Sequence, residues 1–220
     1  MTTMDKLLYA TKEIWKQYTN LPFILGIQNG TLPEDKFRYY MIQDYLYLQE
    51  YAKVSAIGVA KAKSQQTSQF FSNSVNVILH NEMEIHRGYM QRLGITSQEI
   101  ENTPIALDNL SYTSYMLRIA YQEGEAEILA AILSCAYSYQ VIAQEIVKNN
   151  PKALQHSLYG EWVRGYSSEE YANSNNRLIH IFNALTETYT EHQTQYLIDI
   201  FVACSRYELA FWNFAWKLLQ

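Results

Sequence analysis

The sequence predicts an all-helical protein of one domain, and three observations carry that prediction. Only four prolines and eight glycines occur in 220 residues. Most of them fall between long segments in which apolar residues recur every three to four positions, the spacing of one helix face. No run alternates apolar and polar residues for long enough to make a half-buried strand. A chain of this length can bury one substantial core, so residues 1–220 are read as a single helical domain.

The elements are set by their start and stop signals. Residues 4–19 repeat apolar positions at Leu7, Leu8, Ile14, Trp15 and Tyr18, and the stretch from Asn20 to Pro22 interrupts them. Phe23 to Gln28 is predicted as a short helix ending at Asn29-Gly30. In Thr31-Leu32-Pro33-Glu34, Thr31 is expected to cap a long helix running to about Lys63, with Glu34 three residues on. Ser68 to Leu93 is expected as a further long helix stopped by Gly94. Thr96 or Ser97 can cap a short turn, and Pro104 precedes a helix over 106–121. Gly124 separates that helix from one over 125–149, which stops before Pro151. Two or three further helices are predicted over 153–164, 167–188 and 191–218.

Composition removes several function classes. Seventeen basic against twenty-two acidic side chains give a net charge of -5, with no basic run to track a phosphate backbone. Nucleic acid is therefore not an expected partner. The amphipathic, charged N-terminus MTTMDKLLYATKEIW lacks the features of a secretory signal. No stretch is expected to reach the eighteen or more uncharged apolar residues of a membrane helix, so no membrane partner is expected either. Cys135 and Cys204, 69 positions apart, suit reduced thiols in the cytoplasm. Nineteen tyrosines against eight phenylalanines, with four tryptophans, point to an interior with polar patches or a ring-stacking pocket, because each buried tyrosine needs a partner for its hydroxyl.

Three constellations could carry chemistry. Cys135 and Tyr139 are four apart, hence on one helix face, and so are Cys204 and Glu208. A lone cysteine in a helix is more often inert packing than a nucleophile, and spacing does not choose between the two. Asp44 shares a face with Tyr47, Leu48 and Tyr51 in QDYLYLQEY, while Gln43 and Glu50 point elsewhere. A carboxylate among rings is costly unless hydrogen bonds or an amidine-like group compensate it. HNEMEIH pairs His80 with Glu84 and Glu82 with His86, but the chain has no Glu-x-x-His of the di-iron bundles. Metal binding is accordingly a minority reading, and this cluster is expected to be a solvated or oligomer-facing surface.

Five segments in order resemble the TenA family, thiaminase II: LPFILGIQNGTLPEDKFRYYMIQDYLYL, SYTSYMLRIA, EAEILAAILSCAYSYQVIA, LYGEWVRGYSSEEY and SRYELAFW. The likeness covers nearly the whole chain. It implies a helical bundle of the haem-oxygenase type and a hydrolase that needs neither metal nor cofactor. The implied reactions convert 4-amino-5-aminomethyl-2-methylpyrimidine to the 5-hydroxymethyl compound and ammonia, and split thiamine into the same pyrimidine and its thiazole. By the same resemblance Cys135 is the nucleophile, Glu208 the catalytic acid, and Cys204 takes no part. Asp44 holds the pyrimidine and Tyr47 supports the cysteine. Tyr112 and Tyr139 belong to the aromatic pocket, Tyr166 contacts substrate, and Phe211 lines the same space. The resemblance further implies a homotetramer, with which an exposed Trp216 would be compatible. The competing expectations are a non-catalytic pyrimidine-binding regulator and a metal-dependent oxidase on the same scaffold.

Overall fold

The computed structural model describes residues 1–219, and among them it contains eleven α-helices and no strand. They are α1 (Thr3–Tyr18), α2 (Pro22–Asn29), α3 (Glu34–Lys61), α4 (Gln65–Asn76), α5 (Met83–Arg92), α6 (Ser97–Asn102), α7 (Leu107–Gln122), α8 (Glu125–Asn149), α9 (Gly160–Ser167), α10 (Glu169–Leu185) and α11 (Glu191–Lys217). A π-helical turn, Val77–Glu82, joins α4 to α5, and a 3-10 turn, Pro151–Gln155, comes after α8. The all-helical prediction holds.

Two local expectations are corrected. Thr31 does not cap α3, whose N-cap is Pro33 with no side-chain hydrogen bond. Instead the amides of Thr31 and Leu32 return to the carbonyl of Gly26 at 2.8 and 3.1 Å, closing α2 behind Gly30 at φ 68°. The turn that ends one helix has consumed the residue that looked like the start of the next. The single helix expected over Ser68 to Leu93 is α4, the π turn and α5 in succession, capped by Ser64 Oγ accepting from the Thr67 amide at 3.0 Å. Thr96 caps α6 as expected, its hydroxyl accepting from the Glu99 amide at 3.1 Å.

The chain forms two compact units. The first comprises Met1–Leu32 and Leu129–Asn213; the second comprises Pro33–Ile128 together with the described residues from Phe214 onward. The boundaries fall inside α8 and α11. In the first unit Trp212, fully buried, has Phe23, Tyr139 and Trp162 around it at ring-centre distances of 5.5, 5.1 and 6.2 Å. Trp15 stacks on Phe201 at 5.6 Å. In the second unit Phe37, Tyr40 and Tyr89 form the corresponding ring cluster, with Phe37 at 5.9 Å from Tyr40 and 5.4 Å from Tyr89.

By length and composition alone helix α8 could cross a membrane, although it holds no run of eighteen uncharged apolar residues. In the fold, 72% of its apolar window is buried inside the protein, as in a core helix. Trp216 is half-buried rather than exposed, with Lys36 Nζ 4.6 Å over its ring.

Gly58, inside α3, lets that helix approach α4: a Cβ there would meet Cδ1 of the buried Phe71 at 2.5 Å. Gly58→Ala is expected to destabilise the protein by about 1–3 kcal/mol, because overpacking outweighs the better helix propensity of alanine. The measurement is thermal or denaturant unfolding, and an unchanged or raised midpoint would refute close packing at this point.

Candidate active site

The predicted site residues fall into two sets, one in each unit. Asp44, Tyr47 and Tyr112 belong to the second unit, and Cys135, Tyr139, Tyr166, Glu208 and Phe211 to the first.

In the second unit the apolar character of α3 around most of its circumference carries Asp44 into the interior, where it is 3% exposed. Its Oδ2 accepts from the Tyr40 hydroxyl, one turn back, at 3.2 Å. His86 Nε2 lies 2.7 Å from the same oxygen, and His86 Nδ1 lies 2.8 Å from the Glu82 carbonyl. A carbonyl only accepts, so Nδ1 carries a hydrogen. Burial disfavours the imidazolium, yet the hydrogen bond and charge of Asp44, aided by Glu82, outweigh it and raise the His86 pKa. Burial likewise pushes Glu82 up to about 7, against the pull of His86 and with the help of Asp44. The expectation that the His80 to His86 segment is solvated or oligomer-facing therefore holds for the exposed His80 and Glu84 but fails for His86, which is buried against Asp44.

Gln43, expected to point elsewhere than the face of Asp44, is fully buried. Its Nε2 donates to the Pro104 carbonyl at 2.9 Å, and its Oε1 accepts from the Ala106 amide at 3.0 Å and from Asn109 Nδ2 at 3.1 Å. Asn109 also donates to the Gln43 carbonyl at 2.8 Å. This clamp ties the start of α7 to α3 beside Asp44. Tyr112, one turn beyond Asn109, meets Tyr47 at 5.3 Å between ring centres, and Tyr51 stacks on Tyr47 at 5.6 Å. The Tyr47 hydroxyl donates to Met116 Sδ at 3.5 Å.

In the first unit the two cysteines are separated by burial. Cys135 is half-buried on α8, whereas Cys204 on α11 is wholly enclosed. Burial, and then the charge of Glu208, pushes the Cys204 thiol well above its ordinary range, so it stays a thiol. Glu208, 2% exposed, sits one turn beyond it. The Tyr18 hydroxyl donates to the Ser205 carbonyl at 2.6 Å and is pushed well up by burial, then by charge on Glu208, with smaller contributions from Cys135 and Cys204. Tyr18 thus stands where the fields of all three groups meet.

Hydroxyls fix the register of the helices that carry Cys135 and Glu208. Ser134 and Ser205 pair at 3.1 Å, and Trp15 Nε1 donates to Ser205 Oγ at 2.9 Å. Each serine sits close in sequence to a candidate catalytic residue. Next to Cys135 on α8, the Ala136 carbonyl accepts from both the Tyr171 hydroxyl and Asn175 Nδ2 at 3.0 Å. Tyr139 is buried among Tyr166 at 4.8 Å, Trp212 at 5.1 Å and Trp162 at 5.9 Å, and Tyr166 also meets Tyr171 at 5.2 Å. Phe211, on the turn after Glu208, packs edge-on to Trp212 at 6.2 Å. Spacing could not have revealed the pairing of Tyr18 with Ser205 or of His86 with Asp44, since these partners lie on other helices.

Known proteins align with this chain from end to end. The family model for the TENA/THI-4/PQQC family matches residues 9–218. A Helicobacter pylori protein named aminopyrimidine aminohydrolase is 43% identical over 217 residues, covering 99% of this chain and 100% of its own. A solved TenA homologue from P. horikoshii superposes with a TM-score of 0.89 at 30% identity, covering 99% of both chains. Heme oxygenase-1 from the cyanobacterium Synechocystis superposes with a TM-score of 0.66 at 14% identity, covering 97% of this chain and 91% of its own, which shows the haem-oxygenase-like fold alone. The chain belongs to the TENA/THI-4/PQQC family.

Proposed function

We propose that the protein is an aminopyrimidine aminohydrolase of thiamine salvage that uses Cys135 as its nucleophile. It is a hydrolase, and the observation that carries the reading is the end-to-end match to relatives bearing that activity in their name. Residues 1–220 act as one catalytic domain in this reading.

The C-N bond to the exocyclic carbon of 4-amino-5-aminomethyl-2-methylpyrimidine breaks slowly because the departing electrons have nowhere to go. Addition of the Cys135 thiolate to ring C6 gives up aromaticity, while Glu208 supplies a proton to the ring nitrogen that receives the electron pair. That pair then expels the protonated amine as ammonia and leaves an exocyclic methylene. Water adds to the methylene carbon, Glu208 takes its proton back, and loss of the thiolate restores the ring as the hydroxymethyl product. Thiamine takes the same course with its thiazole as the leaving group. Asp44 orients the ring through its amino-pyrimidine edge by a charge-assisted contact, and Tyr112, Tyr139, Tyr166 and Phe211 supply ring faces. Tyr47 supports the cysteine. The partial exposure of Cys135, against a Cys204 thiol held protonated in the interior, supports this choice of nucleophile. The assembly is a homotetramer and the compartment the cytoplasm in the same reading.

Purified protein incubated with the aminomethylpyrimidine is expected to release one ammonia per hydroxymethylpyrimidine formed. Calorimetric binding of the pyrimidine without ammonia would overturn the catalytic reading in favour of a regulator.

A further inference from the structure

The groups around Asp44 form a unit that the hydrolytic scheme does not use. Two donors, the Tyr40 hydroxyl and His86 Nε2, converge on Oδ2 of one buried carboxyl. The Glu82 carbonyl commits His86 Nδ1 to donation. A neutral ring would then turn the lone pair of Nε2 toward Asp44 Oδ2 at 2.7 Å, which is repulsive unless a proton lies between them. The pair therefore holds one proton more than a neutral histidine beside a carboxylate. With Tyr40 donating to the same oxygen, imidazolium facing carboxylate gives each of these donors an acceptor. Glu82 ends the π-helical turn, and α5 starts at the next residue, so this irregular turn delivers both the Glu82 carbonyl and His86.

We propose that His86 is a positioning residue for the reaction: its imidazolium faces Asp44 as a counter-charge and holds Oδ2, leaving Oδ1 to receive the amino-pyrimidine edge of the substrate. The inference rests on the aminohydrolase reading. Without this partner the buried Asp44 would lose a charge-assisted donor and the counter-charge that fixes its carboxyl, and with them its grip on a hydrogen-bond-donating ring. The titratable groups acting on His86 are Asp44 from α3 and Glu82 from the π turn, and Tyr40, also on α3, bonds the same carboxyl oxygen of Asp44. Asp44 is the one that touches substrate in this proposal.

The test compares wild type with His86→Leu, which removes donor and charge, and His86→Gln, which keeps a neutral donor. Ammonia release is measured from pH 5 to 9, and binding of the hydroxymethylpyrimidine product is measured by calorimetry over the same range. In His86→Leu the acid limb of kcat/KM is expected to move up by about two pH units, so that kcat/KM falls by up to about 100-fold at pH values below both limbs and recovers as the pH rises above them. KM should carry most of the loss, product affinity should fall in parallel, and His86→Gln should be intermediate. A loss equal at every pH, or an unshifted acid limb in folded His86→Gln, would overturn the proposal, and the latter decides the matter if His86→Leu does not fold. Absence of ammonia from wild type would instead sink the aminohydrolase reading. The pH dependence of pyrimidine binding would still report on His86 in that event.

Discussion

Cys135→Ser is expected to reduce ammonia release by about 10³-fold or more while leaving pyrimidine binding intact, because an alcohol at this position does not ionise near neutrality and adds poorly to a ring. The contrasting substitution is Cys204→Ala. Cys204 is wholly buried and its thiol is pushed well above its ordinary range by burial and by Glu208, so its loss should leave turnover near the wild-type rate. Steady-state kinetics on both variants, with calorimetry of the product complex, makes the comparison. Retained ammonia release in Cys135→Ser, or equal losses from both substitutions, would assign the chemistry to another group.

Glu208→Gln is expected to lower kcat by about 10²–10⁴-fold with little change in KM. The amide has nearly the same shape and can still hydrogen-bond the ring nitrogen, but it cannot exchange a proton with it. The charge of Glu208 reaches Tyr18 and Cys204, raising both. Neutralising it should bring those two groups down toward their ordinary ranges, a change that titration of the Tyr18 hydroxyl would register even in an inactive variant. Unchanged kcat in Glu208→Gln would remove Glu208 from the role of catalytic acid.

Much of the helical framework is legible in the sequence because a three-to-four apolar spacing admits few other structures. The breaks at Gly30 and Gly94, both at positive φ, and the cap at Thr96 are legible for the same local reason. Thr31 is not, since its role depends on whether the preceding or the next helix claims it. His86 is hidden for a different reason. It lies in a charged segment flanked by exposed His80, Glu84 and Ile85, and the π turn inserts an extra residue that rotates α5 by roughly 100° relative to a regular continuation of α4. A periodicity drawn at 3.6 residues per turn carries no sign of that rotation.

By itself the sequence determined that this protein is helical and belongs with the TENA/THI-4/PQQC chains, since both conclusions rest on local spacing and on residues in order along the chain. Only the tertiary structure decided which cysteine is enclosed, that Tyr18 feels Glu208 and both thiols, and that Asp44 is paired with His86. Burial and the pairing of charges are set by groups far apart in the chain. A low-dielectric interior makes those groups, more than the identity of the residue itself, decide whether a thiol or a carboxyl carries charge.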